Sequence, residues 1–109
     1  MSWQVFYTDD AKQDFAKLDG SHKILVQKAI KKVSQNPVSI HEGGYGKPLG
    51  NKNGTLLAGL FKIKLKAAGI RIVYDLINDI NGMRIIIIGV RADGELYKSA
   101  AQRLNKIGK

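Results

Sequence analysis

From Gly59 to Lys66 the chain reads Gly-Leu-Phe-Lys-Ile-Lys-Leu-Lys, so Lys62, Lys64 and Lys66 alternate with Phe61, Ile63 and Leu65. In an extended strand the apolar side chains point one way. The three ammonium groups point the other, about 7 Å apart for each two-residue step. Arg71 lies just beyond the next turn, Arg91 at the end of a later apolar run, and Tyr97 at the start of the last helical segment. Such a set suits a phosphodiester. Arginine grips non-bridging oxygens through a planar fork, and fixed cations stabilise the charge that grows on them during attack. A lysine crowded by cations is pushed towards its neutral form and becomes available as a base. Tyrosine can stack on a base or relay a proton. RNA brings its own nucleophile, the 2′-OH, so the chemistry needs neither a metal nor a protein nucleophile.

Charge points the same way. Eighteen Lys and Arg against nine Asp and Glu leave a net charge of +9, a balance suited to a polyanionic partner. Between Gly43 and Tyr74 the chain holds Lys47, Lys52, Lys62, Lys64, Lys66 and Arg71 and no carboxylate, a segregation that favours a dedicated anion-binding surface. Lys47, Lys52 and Lys66 are the candidates for gripping RNA around the reacting set.

The same residues are open to plainer readings. An alternating lysine strand is also what a solvated sheet face looks like, Arg91 could pair locally with Glu95, and Tyr97 could be a packing residue. His22 and His41 are isolated. Neither a paired acid–base histidine set nor a metal-ligand cluster is present, there is no cysteine, and the glycines follow no phosphate-cradling spacing. No cofactor is expected.

The elements that must position these residues follow from periodicity and punctuation. With 109 residues, 44% of them hydrophobic, one domain spanning 1–109 is expected. Trp3 to Tyr7 reads as a strand. Thr8, Asp9 and Asp10 offer N-cap oxygens, with Asp10 and Gln13 as a possible capping box, for a short helix burying Ala11, Phe15 and Leu18. A second helix runs from about Ser21 to Gln35 with an imperfect stripe through Ile24, Ile30 and Val33, ended by Asn36-Pro37. Val38 to Gly59 reads as a long glycine-rich loop, either a mobile, partner-facing one or a tolerated insertion. Leu60–Lys66, Ile70–Ile77 and Met83–Val90 read as strands, the last apolar enough to be covered on both faces. A final helix from about Glu95 to Ile107 carries Leu96, Ala100, Leu104 and Ile107. The resulting fold class is α+β: an N-terminal strand, a helix hairpin on one face of a small, mainly antiparallel sheet of about four strands, and a C-terminal helix. The face bearing the lysines is expected to be free. The opening residues do not read as a signal peptide, and the longest apolar run, Ile85 to Ile88, is too short for a membrane span, which fits a cytoplasmic protein.

The segments Gly59–Leu65, Gly69–Tyr74, Ile88–Arg91 and Glu95–Tyr97, in that order and spacing, resemble the RelE/ParE toxin superfamily over nearly the whole chain. The resemblance implies a toxin of a type II toxin–antitoxin system. Its RelE branch cleaves mRNA in the ribosomal A site through two alternate lysines, an arginine past the following turn, an arginine ending the central strand and a downstream tyrosine. Those positions are filled here by Lys62, Lys64, Arg71, Arg91 and Tyr97, which favours this branch. The alternatives are a ParE-type inhibitor of DNA gyrase and a non-catalytic nucleic-acid-binding domain. Val90 and Asp93 stand where some relatives carry more basic residues, which implies a weaker hold on RNA or a different codon preference. The implied partners are the ribosome with its mRNA and a cognate antitoxin, acidic and partly disordered.

Overall fold

The computed structural model describes residues 2–52, 55–90 and 93–107, of which 51, 52, 55–58, 93 and 94 are described by backbone alone. Five strands form one sheet: β1 (Gln4–Tyr7), β2 (Lys47–Lys52), β3 (Thr55–Leu65), β4 (Ile70–Ile77) and β5 (Gly82–Gly89), in the spatial order β1-β5-β4-β3-β2. Neighbours from β5 to β2 pair antiparallel, whereas β1 runs parallel to β5 with Gln4 opposite Gly82 and Tyr7 opposite Ile85. Three helices complete the chain: α1 (Asp9–Ala16), α2 (Gly20–Ser34) and α3 (Asp93–Ile107).

Local chemistry sets the helix starts. Thr8 stays extended, and its hydroxyl accepts the Ala11 amide at 3.1 Å. It, and not Asp10, is the N-cap, while Asp9 and Asp10 sit in the first turn, where negative charge suits the helix dipole. Asp19 caps α2 by accepting the His22 amide at 2.8 Å and the Ser21 hydroxyl at 2.9 Å. Those bonds, the His22 amide foremost, hold its carboxyl below the usual aspartate range. The buried row of α2 is Val26, Ile30 and Val33, and Ile24 is 54% exposed. The expected stripe was rotated because the row through Ile24 continues into Lys28 and Lys31, whereas the row through Val26 stays apolar.

The segment expected to be a loop is largely ordered structure. Residues 36–46 are tied by backbone hydrogen bonds, among them Tyr45 N to Asn36 O and Ile40 N to Gly46 O, both 2.8 Å. The Tyr74 hydroxyl donates to Pro37 O at 2.8 Å, and its ring stacks on Phe61 with centroids 5.3 Å apart. A Cβ at Gly46 would lie 2.6 Å from that hydroxyl, so only glycine lets the loop lie this close. The chain then enters β2, the strand absent from the sequence reading. Pro48 and Gly50 break its alternation, and its register shifts between them. Proline is tolerated there because β2 is an edge.

Both faces of the sheet are covered. On one, Ile70, Ile72, Tyr74, Met83, Ile85 and Ile88 pack with Ala11, Val26, Ile30 and Val33 of the helix hairpin. On the other, Leu49, Leu60, Val73, Ile86 and Ile87 pack with Leu96, Tyr97 and Ala100 of α3. The expectation of a free second face is therefore overturned. The cause lies in β5. Its unbroken apolar run puts two isoleucines on each face, Ile85 and Ile88 on the first and Ile86 and Ile87 on the second, with a register shift opposite Val73 and Tyr74 accommodating Ile86. That much buried isoleucine on the second face demands a cover. Ile107, expected on the packed side of α3, is 40% exposed.

Tyr74→Phe removes the donor to a buried carbonyl and should cost about 1–3 kcal/mol, read as a lower urea midpoint with an unchanged slope. Burial also raises the Tyr74 phenol above its ordinary value near 10. Its share of stability is thus complete below that ordinary value and declines as the pH rises beyond it. The Phe variant should lack this alkaline loss.

Candidate functional site

Strand register decides which cations meet. Lys47 of β2 lies opposite Lys62 of β3, Lys62 lies opposite Val73 of β4, and Lys64 lies opposite Arg71. Directly opposed residues of an antiparallel pair share a face with Cα atoms about 4.5–5.5 Å apart. Leu60 and Val73 pack under α3, and Lys62, Lys64 and Arg71 keep their alternation. The cations therefore lie on the α3 face, beyond the end of the apolar cover. Lys62, Lys64 and Arg71 are half-buried, and Lys47 and Lys66 are exposed.

Two like-charge pairs, Lys47–Lys62 and Lys64–Arg71, thus stand cross-strand on one surface. Like charges directly opposite each other disfavour the sheet, and a bound anion reverses the sign of that contribution. At the turn end of β3 and β4 a depression of about 260 Å3 is lined by Lys64, Leu65, Lys66, Gly69, Ile70 and Arg71. Gly69 adopts the left-handed conformation, φ 69°, that closes the turn. The Arg71 guanidinium donates to its carbonyl at 3.4 Å, which draws the arginine over the turn. Lys62, Lys64, Arg71 and Tyr97 each take part in further interactions within the fold, so the face is held and not splayed.

Tyr97 is only 4% exposed and packs in the cluster that contains Val73, the residue opposite Lys62. Its ring is core, and a nucleotide base cannot stack on it while α3 stays docked. The neighbouring Leu96 comes down over Gly89, where a Cβ would lie 2.8 Å from its Cδ1, and Gly89 is opposite Arg71. A glycine at that point lets the start of α3 settle directly beside the arginine. Register therefore groups three of the five residues expected to react, Lys62, Lys64 and Arg71, and Tyr97 packs under α3 in the apolar cluster that holds Val73. Arg91 lies outside the described residues. Of the three expected to grip RNA, Lys47 extends the lysine row and Lys66 lines the depression. Lys52 is placed by backbone alone, opposite Thr55 at the far end of β2, and its side chain is outside the description.

Sequence reasoning missed Asp14 and Arg103. The Asp14 carboxylate accepts Arg103 Nη1 at 2.6 Å and Nη2 at 3.2 Å, and Arg103 Nη1 also donates to Ile86 O at 3.0 Å. A signal existed: Leu96, Ala100 and position 103 fall at helical spacings of four and three on the packed side of α3. A charge on that row must find an opposite one.

No protein-family model matches the chain. An Escherichia coli protein named as a RelE-like toxin is 29% identical over 104 residues, 95% of this chain and 99% of that protein. The fold is also that of solved RelE structures. A free mutant of E. coli toxin RelE superposes with a TM-score of 0.72 at 22% identity, covering 95% of this chain and 99% of that one. The RelBE2 toxin–antitoxin complex from Mycobacterium tuberculosis gives a TM-score of 0.65 at 24% identity, covering 85% and 95%. The intact E. coli RelBE toxin–antitoxin complex gives 0.65 at 20% identity, covering 84% and 99%.

If the cation face is an anion site, a short single-stranded RNA should raise the melting temperature. A hundredfold excess over Kd corresponds to about 2.7 kcal/mol. The rise should shrink steeply with salt. It should be largely lost in Lys64→Gln and Arg71→Gln but kept in Lys28→Gln, on an exposed position of α2. Scanning fluorimetry reads all of these.

Proposed function

The chain is RelE-like, in sequence over nearly its whole length and in fold, and from that premise we propose that it is the toxin of a type II toxin–antitoxin system and cleaves mRNA on the ribosome. The observation that carries the reading is the register that puts Lys62, Lys64 and Arg71 on one face, with Tyr97 packed on the same side of the sheet in the cluster that holds Val73, opposite Lys62.

In the proposed reaction the 2′-OH of an mRNA nucleotide attacks its own 3′-phosphate. Its proton passes to a base, the bond from phosphorus to the 5′ oxygen of the next nucleotide breaks, and that oxygen takes up a proton. The products are a 2′,3′-cyclic phosphate and a 5′-OH end. Lys64, on the wall of the depression, is the base of choice. Arg71 and Lys62 stabilise the charged phosphorane, Arg91 serves the leaving oxygen, and Tyr97 orders the cations from beneath. Lys47 and Lys66 hold the flanking phosphates, and Lys52 extends that grip along β2. A set of cations with no histidine pair is a weak catalyst by itself. The ribosome supplies what it lacks by holding the mRNA near the in-line geometry. Neither a metal nor a cofactor has a part in this scheme.

The partner that restrains such a toxin is an antitoxin, as in the solved RelBE complexes. An acidic segment that orders on binding fits a chain of net charge +9.

Brief expression without an antitoxin should stop growth, and sequencing of mRNA 5′ ends should place new 5′-OH termini inside translated codons. Lys64→Ala, Arg71→Ala and Arg91→Ala should each relieve the arrest, with cleavage slowed about 100-fold or more. Intact messages with gyrase trapped on DNA would replace this reading by the gyrase-directed one. Harmless expression with salt-sensitive RNA binding would leave a binding domain.

A further inference from the structure

β1 ends at Tyr7, opposite Ile85, and β5 runs on to Gly89. Beyond Tyr7 the exposed backbone of β5 is met by side chains. Asp14 Oδ2, from α1, accepts the Ile88 amide at 3.0 Å, and Arg103 Nη1, from α3, donates to Ile86 O at 3.0 Å. The two side chains also bind each other through both carboxylate oxygens. Because α1 and α3 pack on opposite faces of the sheet, this pair passes around its edge and ties both layers to the same stretch of β5. Asp14 and Arg103 are 14% and 19% exposed, and Asp10 lies 3.9 Å from Arg103 and 3.8 Å from Lys106 at the rim.

The pair sits apart from the cation face, yet it governs that face. α3 contributes Leu96 over Gly89 and Tyr97 in the cluster that holds Val73, the residue opposite Lys62. Apolar packing of Leu96, Tyr97 and Ala100 favours contact with the sheet but is tolerant of small slides and rotations, whereas a two-toothed carboxylate–guanidinium contact has one register. We infer that Asp14 and Arg103 are positioning residues for the candidate site: their ion pair fixes the register of α3 on β5 and thereby sets where Tyr97 stands relative to Lys62, Lys64 and Arg71. The inference rests on the proposed mRNA cleavage for its functional consequence, and on the fold alone for its structural one.

The test uses the full chain, ribosomes programmed with a defined mRNA, and a double-mutant cycle. Arg103→Met should lower kcat at least tenfold with KM within twofold of the parent. Arg103→Lys, which keeps the charge but not the fork, should lose less. Tyr97→Phe should also slow cleavage, and adding Arg103→Met to Tyr97→Phe should cost less than twofold more, because both act through one group. Parental kcat in Arg103→Met, or losses that multiply in the double variant, would overturn the inference, since general loosening of the fold does not depend on the Tyr97 hydroxyl. Amide exchange gives an independent arm. In Arg103→Met the amides of residues 96–104 should lose protection while those of β4 and β5 keep theirs. If Arg103→Met loosens the sheet as well, the same comparison in Arg103→Lys decides, with faster exchange confined to α3 expected. Unchanged protection of α3 refutes the docking role whether or not mRNA is cut. A parent chain that cuts no mRNA refutes the proposed function, and the exchange arm then decides the inference alone.

Discussion

The unbroken apolar run of β5 governs much of what surrounds it. Its four consecutive isoleucines put two side chains on each face, Ile85 and Ile88 on one and Ile86 and Ile87 on the other, and the bulge at Ile86 sets only which two go where. Burying an isoleucine contributes about 1.5–3 kcal/mol, which neither face can forgo. The helix hairpin satisfies one side. The other recruits α3, and α3 lies on the same face as the lysines. The candidate site is thus the remainder of a face whose apolar part has been covered. Its cations stand at the border between helix and solvent, where water is partly excluded and charge acts more strongly than on an open surface.

Such a border has an energetic signature. Lys47 opposite Lys62 and Lys64 opposite Arg71 are arrangements that a sheet selected for stability alone avoids. The fold carries them because other contacts are strong. Among these are Tyr74 bridging to Pro37, Arg84 bound to Asp75 through two contacts of 2.9 and 2.6 Å, and the two-contact Asp14–Arg103 pair. In the proposed reaction, a transition state richer in charge than the substrate would gain most from cations held together in this way.

Much of this was legible beforehand. The strands of the β3–β4–β5 meander declared themselves through alternation and unbroken apolarity. Lys62, Lys64 and Arg71 were placed together from period-two patterning and one short turn, both local rules. The failures share a cause, which is tertiary pairing. β2 carries Pro48 and Gly50 and becomes a strand only because β3 lies beside it and Leu49 is buried. The unbroken apolarity of β5 did announce a cover on both faces, and the expectation of a free lysine face ran against it. Ile24 is exposed because its row of α2 continues into Lys28 and Lys31, and only packing on the sheet selects the row through Val26. Asp14 and Arg103 escaped the sequence reading because their contact spans 89 residues of chain.

That separation bears on how the molecule comes into being. A chain made from its N-terminus exposes β1 and Asp14 first, yet among the described residues β1 pairs only with β5, and Asp14 waits for Arg103. The lysine strand can fold against β4 as soon as that hairpin is synthesised, but α3 cannot lock onto the sheet until Arg103 has left the exit tunnel. The helix that carries Tyr97 is therefore locked only after Arg103, 89 residues beyond Asp14, has emerged. In a protein proposed to attack translating ribosomes, this order leaves the lysine hairpin without its helical border until after all five strands have been made.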